Sequence, residues 1–488
     1  MPWPGGRQGS AEGVRAVQAA PLLAALLTLG AFALRASQLH QSLFGDEVLA
    51  YREVAGQTLG HTLRTVGTGV ESSPPLFFVL AWLSAKLGDP TVWIRLPSLL
   101  LGSATIPVVY LLGRETIGRT GALIAAAIIA ASPFATYYGI EARPYATMTF
   151  FVALSTLALL RAIRTGSRGY WALYAAASAA AAYSHYTAIF ALVTQAGWSI
   201  WVCRRRWRPV LTANAVAIVL YLPWLPSLHG SALGVYALLE RLTTSHVIRD
   251  VLHPVVGYPY ASLRAIPTLV GLIVVTLSAL LGLVWLYLSW RGRTAAAVRE
   301  DTFPRILLIV LLALATPVGL LLYSLLGTDI WSSRSLIAST PAQALVLGGL
   351  LGAIPRPGRA VAVAVTLGFL VFATARSITP RYARPPYRTV AQYLDRVATP
   401  TDPLLMYSAA LVLDDAIPAQ LKRPHTVIDG IPKHWPQRPA GTQAFVVLDD
   451  AVGHALKLST PEPSGFELVA RHHYGGLVPF GLLTYRAR

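Results

Sequence analysis

Long apolar runs separated by short, arginine-rich gaps dominate this chain, and they leave it few ways to fold. A helix needs roughly 20 apolar residues to cross the ~30 Å hydrocarbon core of a bilayer, where every backbone polar group must be satisfied internally. About eleven runs meet or approach that length. They lie near residues 16–34, 93–112, 120–138, 145–163, 170–183, 186–202, 209–225, 266–289, 306–325, 336–353 and 360–377. Composition agrees: 54% of the 488 residues are hydrophobic and 13% are charged, about half the charged share of an ordinary globular domain. The expected fold class is an all-α polytopic membrane protein.

The formal net charge is +18, which in a soluble chain would suggest nucleic acid. Its placement argues for orientation in a bilayer instead. Arginines gather in the gaps between apolar runs, as in Arg204-Arg205-Arg206 with Arg208, the pattern of loops held on the cytoplasmic side. No nucleic-acid partner is expected. Residues 74–87 are apolar but too few to span, and are expected to form an interfacial helix on the outer surface. Every short basic loop then falls on one side: Arg114/Arg119, Arg161/Arg164/Arg168, the Arg204 group, Arg291/Arg293/Arg299 and Arg356/Arg359. The N-terminus is accordingly expected in the cytoplasm and the C-terminus outside, in a plasma membrane of the bacterial inner-membrane kind. The first run is flanked by Arg15 and Arg35 and is followed by no small-x-small cleavage site; it is expected to be a retained span rather than a signal peptide. Cys203, the single cysteine, rules out an intrachain disulfide or a thiolate metal site.

From about Thr379 the character changes. Pro380, Pro385 and Pro386 are followed by a helix-like stretch at 389–398 and strand-like stretches at 404–407, 444–448 and 482–485. This alternation predicts a small α/β extracytoplasmic domain at 379–488 after a transmembrane module at 1–378. No inverted internal repeat of the kind found in secondary transporters is visible.

With that topology, the outward-facing segments are 37–95, 139–144, 184–186, 226–266, 327–335 and the tail. Phe44-Gly45-Asp46-Glu47 follows the first span. Two adjacent carboxylates at a membrane boundary can supply a general base and a second group for hydrogen bonding or metal; they can also be two solvated loop acids. Tyr137-Tyr138-Gly139-Ile140-Glu141-Ala142-Arg143-Pro144-Tyr145 forms a very short turn between spans. Ionisable residues pinned at membrane level are costly and point to function, although a Glu141–Arg143 ion pair closing the turn would also account for them. Glu71-Ser72-Ser73-Pro74-Pro75-Leu76 opens the interfacial helix. His185 and Tyr186 occupy another tight turn, and Arg334 shares a loop with Asp329. Either could anchor a phosphate, or merely snorkel or cap. All these groups fall on one pole of the bundle. An enzyme using a polyprenyl-phosphate sugar needs that arrangement: the lipid stays in the bilayer, the phosphate is held at the interface, and a carboxylate takes the acceptor's proton.

The Asp46-Glu47 pair after the first span, the Ser-Pro-Pro-Leu helix start and the Glu-Ala-Arg-Pro-Tyr turn resemble the GT-C glycosyltransferases. The nearest branch holds protein O-mannosyltransferases and the aminoarabinose transferases that modify lipid A. The resemblance covers about the first two hundred residues well and the later spans by topology alone. It implies a GT-C fold with juxtamembrane helices in the first outer loop, and inverting transfer from a polyprenyl-phosphate sugar donor to a glycan, lipid or protein acceptor. It further implies Asp46 as catalytic base supported by Glu47, with Glu141 as a second acid of the site. Arg143, His185 and Arg334 would contact the lipid phosphate, and Tyr138, Tyr145 and Glu71 would line the substrate. This chain has Ser73 where relatives often carry His or Lys, which leaves the contacts at that point open. Some relatives bind a divalent metal; no residue here is assigned to one.

Two other functions compete. A flippase or transporter of lipid-linked sugars should carry ionisable residues near mid-bilayer in broken helices, whereas here the apolar runs are nearly free of charge. A scaffold in which the tail does the work would have no need of Asp46-Glu47 and Glu141-Ala-Arg143. Mannose and arabinose are the sugars expected first.

Overall fold

The computed structural model describes residues 11–68, 73–230, 242–259, 262, 264–266, 269–291, 302–407, 413–429, 438–449 and 465–488. The chain divides into two compact units. One comprises residues 1–37, 66–77 and 98–374; the other comprises 38–65, 78–97 and 375–488.

Among the described residues, 8 helices are long and apolar enough to cross a membrane: Ala19–Ala36, Pro90–Thr116, Tyr145–Thr165, Trp207–Leu228, Leu269–Ser289, Phe303–Leu326, Ser333–Ala353 and Arg356–Ser377. The other three expected spans are helical but shorter, at Gly118–Ala131, Arg168–Ser184 and Ala188–Val202. The expected run 120–138 is in fact two helices. Ser132 leaves the helical region, and its Oγ accepts a hydrogen bond of 3.2 Å from the Ala135 N–H, while Pro133 opens a new helix at Pro133–Tyr138. A capping serine followed by proline is a restart signal, and the restart delivers the chain to the Glu141 turn. Residues 76–87 form a short helix, Leu76–Ser84, ending in a single 3-10 turn.

Large apolar side chains stay outside. Leu269, Leu277 and Leu325 are 60%, 58% and 64% exposed, a surface that only lipid covers without penalty. Helix contacts inside the first unit rely on small residues instead. A Cβ placed on Gly348 would lie 2.6 Å from the carbonyl oxygen of Gly121 and 2.9 Å from the Ala125 Cβ. Gly352 faces the Gly121 backbone one turn further on. The Gly118–Ala131 and Thr340–Ala353 helices therefore meet backbone to backbone, the close approach that small residues permit between helices in lipid.

In the second unit, the Tyr387–Val397 helix precedes a five-stranded sheet of β1 (Pro403–Tyr407), β2 (Thr426–Asp429), β3 (Gln443–Asp449), β4 (Phe466–Tyr474) and β5 (Phe480–Ala487). The order is β2-β1-β3-β5-β4. β1 pairs in parallel with β2 and β3, whereas β3–β5 and β4–β5 are antiparallel. Leu405, Val446, Leu483 and Tyr485 pack into one buried cluster. Tyr387 of the helix meets Phe480 of β5 with ring centroids 5.0 Å apart. The same unit includes the loop that carries Asp46 and Glu47.

Candidate active site

Asp46 is the first residue of the Asp46–Val54 helix and is half-buried. The chain enters that helix through Gly45 at φ 58, ψ −135. Only glycine occupies that region without strain, so Gly45 fixes the angle at which Asp46 is presented.

Glu47 faces the other way and is fully buried. Its Oε1 accepts from Arg95 Nε at 2.9 Å; its Oε2 accepts from Arg95 Nη2 at 2.6 Å and from the Phe44 N–H at 3.3 Å. Arg384 Nη1 donates to the same Oε2. Arg95, likewise fully buried, spends its remaining donors on three carbonyls: Leu39 at 2.7 Å, Gln41 at 2.6 Å and Ser42 at 2.8 Å. All five guanidinium N–H groups are thereby used. The loop from Leu39 to Glu47 is wrapped around one guanidinium. Removing one partner of a buried pair of this kind costs about 3–5 kcal/mol, chiefly by stranding the other charge.

Arg388 adds a second junction. Its backbone N–H donates to Ser42 Oγ at 2.9 Å, its Nη2 to Thr91 Oγ1 at 2.5 Å, and its Nη1 lies 3.6 Å from Asp89 Oδ2. Gln420 Oε1 accepts from the Leu43 N–H at 3.2 Å, and Arg52 pairs with Asp415.

In the bundle unit, the turn after Tyr138 is held by close backbone contact. A Cβ at Gly139 would sit 2.8 Å from Arg35 Nε and 2.7 Å from the Ala135 carbonyl, and one at Gly102 would sit 2.9 Å from Gly139 Cα. Glu141 and Arg143 are both buried, and Ser98 Oγ donates to the Arg143 carbonyl at 3.2 Å. Aromatic rings line up behind the turn. Centroid distances are 5.3 Å for Tyr258–Tyr137, 5.2 Å for Tyr137–Tyr138, 5.0 Å for Tyr138–Tyr145 and 5.5 Å for Tyr145–His185. Beside this row lies a mainly apolar cavity bounded by Gly102, Tyr138, Gly139, Ala146, Ile337 and Thr340.

His185 ends the row and is buried. Burial lowers its pKa to about 3, with the charges of Arg143 and Arg334 acting in the same direction. Its Nδ1 accepts from the Thr187 N–H at 3.2 Å, which leaves the proton of the neutral ring on Nε2. His185 is therefore an uncharged donor flanked by two cations. In the loop that precedes Arg334, Trp331 donates through Nε1 to Asp250 Oδ2 at 3.0 Å, and Asp329 accepts from the N–H groups of Trp331 at 3.0 Å and Leu242 at 2.8 Å.

Of the residues singled out from sequence, Arg143 and Arg334 both act electrostatically on His185, and Tyr138 and Tyr145 share its ring row. Glu141 lies in the same turn. Asp46 and Glu47 belong to the second unit, and Glu71 lies outside the described residues. Arg95, Arg384, Arg388 and the Asp250–Trp331 pair carry no sequence signal that separates them from other arginines and loop acids. Among the described residues, no group of three or more His, Cys, Asp or Glu side chains is placed to hold a metal ion.

The fold is of the GT-C kind, the class to which solved membrane glycosyltransferases belong. Within it, residues 72–226 match the dolichyl-phosphate-mannose-protein mannosyltransferase family. A stretch of 94 residues is 33% identical to YkcB of Bacillus subtilis, whose assignment as a mannosyltransferase is provisional; the stretch covers 19% of this chain and 13% of that relative. ArnT from Cupriavidus metallidurans, solved with undecaprenyl phosphate, superimposes over 95% of this chain and 97% of its own, with a TM-score of 0.54 and 14% identity. Its apo form gives 0.57 over 96% and 98%, also at 14% identity. The apo oligosaccharyltransferase of Archaeoglobus fulgidus gives 0.54 over 89% and 70%, at 12% identity. What these solved structures share with the chain is the fold.

Proposed function

We propose that the protein is an inverting glycosyltransferase that moves a sugar, mannose or arabinose first, from a polyprenyl-phosphate donor to a cell-envelope glycan, lipid or protein on the outer face of the membrane. The observation that carries this reading is the division of labour between neighbouring acids. Glu47 has both oxygens engaged by arginines, while Asp46 stands at the head of a short helix on a glycine-fixed turn. An acceptor hydroxyl must lose its proton as it attacks C1 of the sugar, and Asp46 is the carboxylate assigned to take it. Arg143 and Arg334 provide fixed positive charge, and His185 an Nε2–H donor, for the departing lipid phosphate, so a general acid is not required. Glu141 is assigned to orient the sugar or its phosphate from the same turn as Arg143.

The test is transfer from radiolabelled polyprenyl-phosphate mannose, then arabinose, in membranes holding the wild type or Asp46→Asn. The substitution is nearly isosteric and removes the base. Loss of transfer by roughly 10²–10⁴-fold, the span attributed to a positioned base, with donor binding kept, is the expected result. Transfer that survives in the variant removes Asp46 from the mechanism.

A further inference from the structure

The Glu47–Arg95 pair is complete without help. Arg95 satisfies both carboxylate oxygens and every one of its own donors. Yet a second, equally buried arginine, Arg384, enters from 337 positions further along the chain and donates to the same Oε2. Two buried guanidinium groups thus converge on one carboxylate, which fixes its position from two separate stretches of the chain. The carboxylate next in the chain is Asp46. The segment that brings Arg384 in is fastened four residues later, through Arg388, to Ser42 of the same loop and to Thr91 and Asp89 just before Arg95.

We propose that Arg384 is a positioning residue for Asp46: it adds a second guanidinium to the Glu47 carboxylate and so fixes the first turn of the Asp46–Val54 helix from the C-terminal segment. The inference rests on the reading of Asp46 as the base. Glu47 is the lever because its Oε2 also accepts from the Phe44 N–H, while the Glu47 and Val48 N–H groups bond back to the carbonyls of Phe44 and Gly45. Holding the Glu47 carboxylate holds the backbone on both sides of Asp46. On this view the C-terminal segment is part of the catalytic apparatus.

The experiment compares the full-length wild type, Arg384→Met, Arg384→Lys and Arg52→Ala. Arg52 joins the same two stretches through Asp415 but is 55% exposed and does not touch Glu47. Two quantities are read in purified protein: hydrogen exchange of the amides from Leu43 to Val48, and kcat with KM for the polyprenyl-phosphate donor. In Arg384→Met the amides should exchange faster and kcat should fall roughly 10- to 100-fold, the scale of a small misplacement of a reacting group. KM should stay within about two-fold, since uniform binding is untouched. Arg384→Lys should recover part of both, and Arg52→Ala should change neither. Wild-type exchange or wild-type kcat in Arg384→Met overturns the inference, as does an equal fall in Arg52→Ala, which would reduce it to general docking. If the wild type transfers no sugar from either donor, the proposed function fails; the exchange rates still decide whether Arg384 positions the loop.

Discussion

His185 shows how burial can reverse a residue's expected contribution. A histidine near two arginines and a lipid phosphate suggests a third cation. The structure instead encloses the ring, and desolvation together with Arg143 and Arg334 holds its pKa near 3. The unfolded chain, with a value of 6.5, binds a proton that the folded chain refuses. Stability from this residue is therefore fully present above pH 6.5 and is lost as pH falls from 6.5 toward 3. Thermal unfolding at pH 7.5 and pH 4.5 should show a smaller drop for His185→Gln than for the wild type; equal drops would refute the shift. The same scale separates what the sequence reveals from what it hides. Asp46-Glu47 and Glu141–Arg143 are legible because each pair lies within three residues. The arginines that engage Glu47 are 48 and 337 positions away, and only folding reveals them. Nothing about Arg384 in its Ala-Arg-Pro-Pro context distinguishes it from Arg381 nearby.

Among the elements, helices were the more legible and strands the less, for a physical reason. Apolar runs announce helices in a membrane protein, and each of the eleven expected runs holds a helix among the described residues. The misreading at 120–138 arose because Ser132-Pro133 is a local capping signal inside a run whose hydropathy never falters. In the tail, the three expected strands are the buried β1, β3 and β5; the missed β2 and β4 are the sheet's edges, where exposed polar positions dilute the alternation. Helix packing offers a matched test. Gly348→Ala places a methyl 2.6 Å from the Gly121 carbonyl, whereas a Cβ on Gly368 has nothing within 4 Å. Overpacking should make the first variant less stable by about 1–3 kcal/mol. Gly368→Ala should be neutral or gain up to about 1 kcal/mol of helix propensity. Melting of the two purified variants distinguishes them; equal melting temperatures would mean that these helices do not meet at their glycines.

Orientation belongs to the whole molecule. The basic loops predict that residue 165 faces the cytoplasm and residue 401 the outside. In a Cys203→Ser background, Thr401→Cys should react with a membrane-impermeant maleimide on intact cells, and Thr165→Cys only after permeabilisation. The reverse pattern would turn the protein over and move the proposed chemistry to the other face.

The junction at Glu47 also constrains how the protein is made. Asp46, Glu47 and Arg95 leave the ribosome early, and the first membrane helices can be inserted while most of the chain has yet to be translated. Arg384, Arg388 and Gln420, which fasten that first loop, arrive only after the last long apolar helix. A chain cut short anywhere before residue 384 leaves its first loop without the arginine and the fastenings that complete it. The first loop is therefore completed only after most of the membrane helices have been made.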